Sequence, residues 1–429
     1  MGERVWEQRY GTPEDDSLTA LTVASNGDIV FTGVTRQDSL DGSWDVWLVR
    51  LSPAGDIIWQ NAYGGINQTL NRGGHEQPAS LIETGDGNIA VVGQTFSFTL
   101  SGALYDVVGA GFFLEVDGNT GAIIQSEALV WSRYYNDAGR RNTSASSIVQ
   151  TADGGFAIAG TSDRNFWALK MDRWGVPVWM NHYGYDYWDD IDSLVQDADG
   201  HVVLAGSTCN VSGSNCNVWA VKVNQADGSI LWAKKINGAR YGDPFEILKL
   251  DTGFVVAGTY QPIDTSTGST LWLLKLDGGG NLGTTYPGTW QKTYGGLWGT
   301  HIAQRPGGGF LFAGRRWPFT GGAAAPFFIG TDAEGEVSCP VPTPTTSNSS
   351  DGALSRAVCP LPPTGESCCT DSACSTPGNP PYDLCPAHET CVARVCIPKP
   401  VDWVRGHELA SRETLAVAIA MMGTKSTCR

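Results

Sequence analysis

Charge is scarce in this chain. Only 17% of its 429 residues are Asp, Glu, Lys or Arg. Basic residues are the rarer kind, 28 against 44 acidic, for a net charge of −16. A chain so poor in positive charge argues against nucleic-acid backbones and anionic membranes as partners. Long apolar runs are missing too. No stretch reaches the roughly 18 apolar residues of a membrane-spanning helix; the longest candidate is Leu415 to Met422. No secretory leader is legible at Met1, so an extracellular protein implies a mature form or a misplaced start. Histidine is rare and scattered, at 75, 182, 201, 301, 388 and 407. His407-Glu408 has no second histidine four residues on, which excludes a zinc-protease helix. There is no Gly-x-Ser-x-Gly elbow, no sialidase Asp-box at any Trp turn, and no Cys-x-x-Cys pair. The chain offers no legible catalytic signature. Paired carboxylates for glycoside hydrolysis stay open, because their spacing is spatial.

Glycine and tryptophan are abundant instead, 54 and 16 residues. Many glycines, many aromatics and few charges suit short strands joined by turns. The tryptophans are also periodic. "WEQRY" at 6–10 returns as WQNAY at 59–63, WSRYY at 131–135, WMNHY at 179–183, WAKKI at 232–236 and WQKTY at 290–294. A second signal is a glycine turn and an apolar run ending in Gly, at Gly33, Gly93, Gly160, Gly206, Gly258 and Gly314. A third strand carries an aromatic at Trp47, Phe112, Trp167, Trp219, Trp272 or Phe327. Three residues later comes a base in four copies (Arg50, Lys170, Lys222, Lys275), but Glu115 and Gly330 in the other two.

Each repeat of about fifty residues therefore predicts four short antiparallel strands, the pattern of a propeller blade. An open solenoid or a row of small sandwiches is the other reading. Six Trp-x-x-x-Tyr strands and six inner-strand sets are present, but out of phase. The first outer strand precedes any inner strand, and the last set, near 298–337, has no outer strand after it. Ring closure by the N-terminal strand resolves the mismatch and seals two sheet edges. The expected fold is all-β: a six-bladed β-propeller closed by the N-terminal strand, plus a small disulfide-rich tail with a short helix. The DGG-type hairpins and the YGG strand ends over residues 4 to about 337 resemble the β-propeller repeats of secreted bacterial surface proteins. That resemblance implies a scaffold or recognition role rather than a particular chemistry.

Propellers bind ligands at the axial mouth, where inner strands begin. Candidates there are Asp15, Asp16, Glu76, Asp189, Asp190 and Asp243, flanked by Trp188 and Trp298. A carboxylate ring could hold a cation such as calcium, or a polyol. Otherwise each Asp after a glycine turn caps the strand by hydrogen bonding to backbone. Asp197-Ala-Asp199-Gly200 resembles the start of a calcium loop but lacks the later ligands, and it reads as a turn. No cofactor is expected. Repeat-phased tryptophans read as inter-blade core; Trp44, Trp174, Trp188, Trp298, Trp317 and Trp403 fall outside the phase.

Composition changes after Val337. The expected division is 1–337 propeller, 338–366 Pro/Thr/Ser-rich linker, 367–398 Cys-rich module and 399–429 helical segment. Cys368, Cys369, Cys374, Cys385, Cys391 and Cys396 crowd one short stretch. They read as a disulfide knot, with zinc as the other reading. Cys209 and Cys216 would close one loop; Cys339, Cys359 and Cys428 remain, and eleven is odd. Sequons occur at Asn67, Asn142, Asn210 and Asn348, possible glycan sites. These features point to a secreted or cell-surface protein, non-enzymatic, that binds protein or carbohydrate or serves a structural part. A fibre or surface-assembly subunit joined through its tail, and a propeller enzyme acting on glycans, are the rivals.

Overall fold

Tight glycine turns fold each repeat back on itself. In the first, Gly27 adopts a φ of 88° and donates its N–H to the Ala24 carbonyl at 2.8 Å. The computed structural model describes residues 6–337, apart from short internal stretches of which 97–108 and 130–142 are the longest. It also describes strands at 389–392 and 395–398. The result is an all-β six-bladed propeller.

Blade 1 is β1 (Ser17–Val23), β2 (Ile29–Thr35), β3 (Asp45–Leu51) and β4 (Ile57–Tyr63). A two-rung ribbon, β5 (Ile66–Asn67) with β6 (Arg72–Gly73), leads to blade 2: β7 (Glu76–Glu83), β8 (Ile89–Thr95), β9 (Ala110–Val116) and β10 (Ile123–Leu129). Blade 3 is β11 (Thr143–Gln150), β12 (Phe156–Ser162), β13 (Asn165–Met171) and β14 (Pro177–Tyr183). Blade 4 is β15 (Asp189–Gln196), β16 (Val202–Cys209), β17 (Cys216–Val223) and β18 (Ile230–Ile236). Blade 5 is β19 (Tyr241–Leu250), β20 (Gly253–Gln261), β21 (Thr270–Leu276) and β22 (Trp290–Tyr294). Blade 6 has three described strands, β23 (Leu297–Gln304), β24 (Phe310–Arg316) and β25 (Ala325–Gly330). Strand order within every blade follows the chain. In the tail, β26 (Glu389–Val392) pairs antiparallel with β27 (Val395–Pro398). The linker and the expected helix lie outside the described residues. No helix among the described residues is long and apolar enough to cross a membrane.

The core sits between blades. Ile89, Val91 and Phe112 of blade 2 pack with Val30, Val46 and Leu48 of blade 1. Phe166 of blade 3 packs with Leu204 and Trp219 of blade 4, ring against ring at 4.8 Å from Trp219. A single blade has two apolar faces and cannot bury both alone, so the repeats must stack.

The glycine near the end of the second strand is a close-approach residue in blades 1 to 4. A Cβ on Gly33, Gly93, Gly160 or Gly206 would lie 1.9–2.1 Å from a carbonyl oxygen of the inner strand. The inner strand bulges at that level, as between Ala145 and Ser147, and pushes its backbone inward. Only glycine fits there.

The outer strands act as clamps. Trp59 donates its Nε1–H to the Gly118 carbonyl of the next blade at 2.8 Å, and the Tyr63 hydroxyl donates to the Gly121 carbonyl at 2.5 Å. Trp179 and Tyr183 do the same to Gln225 and Gly228, at 2.7 Å each. The indole lies against the turn glycine, whose positive φ leaves that side open. Residues 6–10, expected as a strand, carry no strand assignment. Their aromatics nevertheless make the same pair of bonds to blade 1, Trp6 to Pro53 at 3.0 Å and Tyr10 to Gly55 at 2.6 Å. They cover the face of blade 1 around Ile29, Phe31 and Trp47.

Candidate functional site

The inner strands begin at one face of the disc, and the mouth residues divide there by strand alternation. Glu76 is buried and accepts the Thr95 hydroxyl at 2.8 Å. Asp189 is fully buried opposite Thr208 in the ladder. Asp16 accepts the backbone N–H of Thr12 and, at 3.0 Å, its hydroxyl. Asp15 and Asp190 point the other way and are exposed. Asp243 lies in β19 opposite Thr259, and Trp298 in β23 opposite Arg315. Trp188 lies outside the described residues. Beyond these acids, the Glu246 carboxylate of blade 5 accepts the Ile302 N–H of blade 6 at 2.8 Å and stands 3.7 Å from His301 Nδ1. No three His, Cys, Asp or Glu converge as a metal-binding group among the described residues.

Of the cysteines, Cys209 and Cys216 form a disulfide across the β16–β17 loop at this face. Cys391 and Cys396 face each other in the β26–β27 ladder. Cys339, Cys359, Cys368, Cys369, Cys374, Cys385 and Cys428 lie outside the described residues. So do Asn142, Asn210 and Asn348, while Asn67 falls in β5.

The phased base of the third strand has a partner that sequence spacing did not reveal. In three of the four copies it reaches the acid of the hairpin between the first and second strands, while Lys275 lies over the Trp290 ring at 5.9 Å. Arg50 Nε meets Asp28 at 2.8 Å and its Nη1 donates to the Gly118 carbonyl of blade 2 at 2.6 Å. Lys170 meets Asp153 at 3.0 Å. Lys222 is paired with Asp197, which settles the Asp197–Gly200 stretch as a turn. In blade 2 the pattern is inverted, and Glu115 accepts from Asn88 at 3.2 Å. Between blades 3 and 4 a cleft of about 310 Å³ is lined by Asp153, Lys170, Asp199, His201 and Gln225. Gln225 donates to Asp153 at 2.9 Å. Partial burial pushes the Asp153 carboxyl up, but bonds from Thr151, Lys170 and the Gly155 N–H outweigh it and hold the pKa at about 2. In Asp117 and Asp227 turn hydrogen bonds likewise lower the carboxyl. These shifts run opposite to what a proton donor at neutral pH requires.

The face opposite the mouth carries a feature that the sequence reading missed. Here lie the hairpins between first and second strands and the turns between third and fourth. Each of the first four outer strands opens with a bulge: Ile58 is the extra residue in β4, Ile124 in β10, Val178 in β14 and Leu231 in β18. A bulge cancels the two-residue alternation locally and re-aims a side chain. Consecutive apolar residues are exposed together as a result: Ile57 with Ile58, Ile123 with Ile124, and Ile230 with Leu231. In blade 3, Val176 and Val178 flank Pro177, beside a Trp174 that is 71% exposed. Every large apolar side chain exposed among the described residues lies at this end of its blade, Val23 and Tyr286 included. The legible signal was the doublet itself, in "GDIIWQ", "GAIIQS", "GVPVWM" and "GSILWA".

Two stations of this rim, those of blades 2 and 3, touch. Gln125, beside Ile124, donates to the Arg173 carbonyl of blade 3 at 3.5 Å. Trp174 and Val176 follow directly in that turn. The same turns hold Asp56, Asp117, Asp172, Asp227, Asp277 and Asp332, so the rim is apolar with an acidic fringe.

No protein-family model matches the sequence, and no curated protein matches it. Among solved structures, the chain is similar to a protein of unknown function from Dyadobacter fermentans, at 13% identity and a TM-score of 0.45, over 74% of this chain and 96% of that one. A polysaccharide lyase, an ulvan lyase, matches at 10% identity and a TM-score of 0.44, over 76% of this chain and 81% of that one. A Hadza microbial sialidase matches at 11% identity and a TM-score of 0.45, over 69% of this chain and 62% of that one. At these identities and scores the likeness decides nothing about activity.

Proposed function

We propose that this chain is a non-enzymatic extracellular or cell-surface protein with a binding or structural role, and that it engages a protein partner through the turn face of its propeller. The observation that carries this reading is the rim of bulged apolar residues. Four blades repeat the same departure from strand alternation, and each time it exposes aliphatic surface at a cost in solubility. Apolar surface held open in this way marks an interaction site. The exposed side chains are mostly aliphatic rather than flat rings, which favours a protein over a stacked sugar. The acidic fringe favours a partner with basic groups at its edge. The Cys209–Cys216 disulfide supports an oxidising compartment. Closure of the ring by the N-terminal stretch belongs to the same reading. Trp6 and Tyr10 already occupy, toward blade 1, the place that Trp59 and Tyr63 occupy toward blade 2.

The test places a photo-crosslinking side chain at Ile58 or Leu231, and at Asp190 on the opposite face, in protein recovered from its producing cells. Discrete heavier species from positions 58 and 231, absent from 190, are expected. Uniform or absent crosslinking from both rim positions overturns the reading. Turnover in a glycan panel that is lost with Asp190→Ala or Asp243→Ala would favour a glycan-active enzyme instead.

A further inference from the structure

One seam of the turn face is open where another is filled. We propose that the cleft between blades 3 and 4 receives an arginine side chain of the protein partner, its guanidinium between Asp199 and the Gln225 carbonyl and its stem against Val178 and Ala226. This inference rests on the turn-face reading above and names what that face recognises.

The chain supplies its own precedent. Arg50 and Lys170 hold the same place in their blades, each opposite the clamp tryptophan of the next strand, Trp59 or Trp179. Gly118 and Gln225 also share a place. Gly121 closes its turn onto Asp117 as Gly228 closes its turn onto Asn224, and each of the two residues comes next. In the first seam the Gly118 carbonyl accepts twice, from Trp59 at 2.8 Å and from Arg50 Nη1 at 2.6 Å. The Arg50 side chain is 7% exposed there, so its guanidinium fills the seam. In the seam of blades 3 and 4 the base is a shorter lysine. Its ammonium stops at Asp153 and at the Met171 carbonyl, 2.8 Å away. Among the described residues the Gln225 carbonyl accepts only from Trp179. The place that a guanidinium fills in one seam is left in the other as the cleft of about 310 Å³. Ligand pockets start near roughly 300 Å³, so this one suits a single side chain.

The walls agree with that occupant. The Asp199 side chain is 75% exposed, and its ion-pair partner Lys222 stands 3.5 Å away, already held by Asp197. Asp227 is exposed just past Ala226, its carboxyl kept low by bonds from Ser229. The lining cation, Lys170, is 2% exposed and neutralised by Asp153. His201 is an acceptor here, taking the Gln225 N–H on Nδ1 at 3.4 Å. Arg173 of the blade 3 turn faces Asp86 of blade 2 at 3.9 Å, on the side of blade 3 away from the cleft. Val178 belongs both to the cleft and to the bulged rim, so the two form one surface. A planar fork on a long apolar stem uses the acidic and the apolar walls together, where a compact ammonium uses mainly the charge.

The test is a titration of the full chain with three blocked tripeptides. Each has leucine at both ends and, in the middle, arginine, lysine or citrulline, the neutral isostere of arginine. Methyl signals of Val178 and Ala226 report on the cleft. Saturable shifts of both are expected with the arginine peptide. The citrulline peptide should bind about tenfold or more weaker, and the lysine peptide about threefold or more weaker. Asp199→Asn should weaken the arginine peptide about fivefold or more. Lys170→Arg should fill the cleft from within, as Arg50 fills its own seam, and abolish the shifts. If Lys170→Arg does not fold, Asp199→Asn decides alone. No shifts with any peptide, equal binding of the arginine and citrulline peptides, or arginine binding unchanged in Asp199→Asn overturns the proposal. Equal binding of the lysine peptide overturns the arginine assignment in favour of any cation. If crosslinks from positions 58 and 231 form while the peptides fail, this inference alone fails. Arginine binding without any such crosslink removes the turn-face reading, and with it the partner, and leaves the cleft a guanidinium site.

Discussion

The buried pair between Lys222 and Asp197 gives the sharpest test of how the blades are held. The two side chains are 10% and 7% exposed, so neither ion has bulk water to fall back on. Asp197 Oδ1 also accepts the N–H groups of Asp199 at 3.0 Å and His201 at 2.9 Å, while Oδ2 faces the ammonium. Lys222→Met keeps the stem and removes the charge. It leaves a carboxylate half satisfied in a site of low dielectric, which costs about 3–5 kcal/mol. Adding Asp197→Asn restores neutrality and keeps an oxygen for both N–H groups. The remaining cost is one amide N–H₂ without its former partner, about 1 kcal/mol. The double variant is therefore expected to be more stable than the Lys222→Met single. Urea denaturation followed by tryptophan fluorescence measures the cycle, with exchange of β16 and β17 amides as the local readout. A single variant that loses less than about 1 kcal/mol, or a double variant no better than the single, would refute the claim that the pair is desolvated and mutually dependent.

Three further outcomes are expected. Gly160→Ala should cost about 3 kcal/mol or more, because its Cβ would meet the Ser144 carbonyl at 1.9 Å and Ala145 Cα at 2.8 Å, both backbone; a thermal midpoint within a degree or two of the parent would contradict the close-approach argument. Trp6→Ala with Tyr10→Ala should cost about 3 kcal/mol through lost burial on blade 1; if the stretch also closes the ring, β25 amides lose protection as well as β1 and β2 amides, whereas loss on blade 1 alone refutes closure. The Asp153 carboxyl has a folded pKa of about 2, below its usual unfolded value near 3.9, so its stabilisation is present above about pH 4 and is lost as pH falls through 2. Asp153→Asn should therefore be destabilised at neutral pH, by under about 1 kcal/mol because the side chain is half exposed, and should converge on the parent near pH 2; a gap that widens on acidification would show the sign to be wrong.

Much of the architecture was legible because the residues that define it cannot be replaced. Gly33, Gly93, Gly160 and Gly206 recur since any Cβ meets a carbonyl, and the Trp-x-x-x-Tyr strand recurs since in blades 1 and 3 indole and hydroxyl both bond to the next turn. These are local constraints, and they print as spacing. The fringe of the site was less legible. Alternation decides which mouth acids are buried, and Asp189 and Asp190 look alike in sequence while one is enclosed and the other exposed. The pairing of Lys170 with Asp153 or Arg50 with Asp28 depends on register between strands, which composition does not encode. The rim was hidden for a different reason. "II" before a Trp strand reads as core unless a bulge is known to lie there, and a bulge is a property of two strands at once.

The clamp has a direction. In each described case the Trp and Tyr of one blade close on a turn that lies later in the chain, as Trp179 and Tyr183 close on residues 225–228. A ribosome therefore delivers every clamp before its seat. Blades 1 and 3 leave the exit tunnel with an indole and a phenol still uncovered, and each is finished only when the turn of the following blade arrives. Assembly from the first blade onward is stepwise, with one unfinished seam at a time. A chain cut short after blade 1 or blade 3 ends with one such pair bare, a ready mark for quality-control proteases.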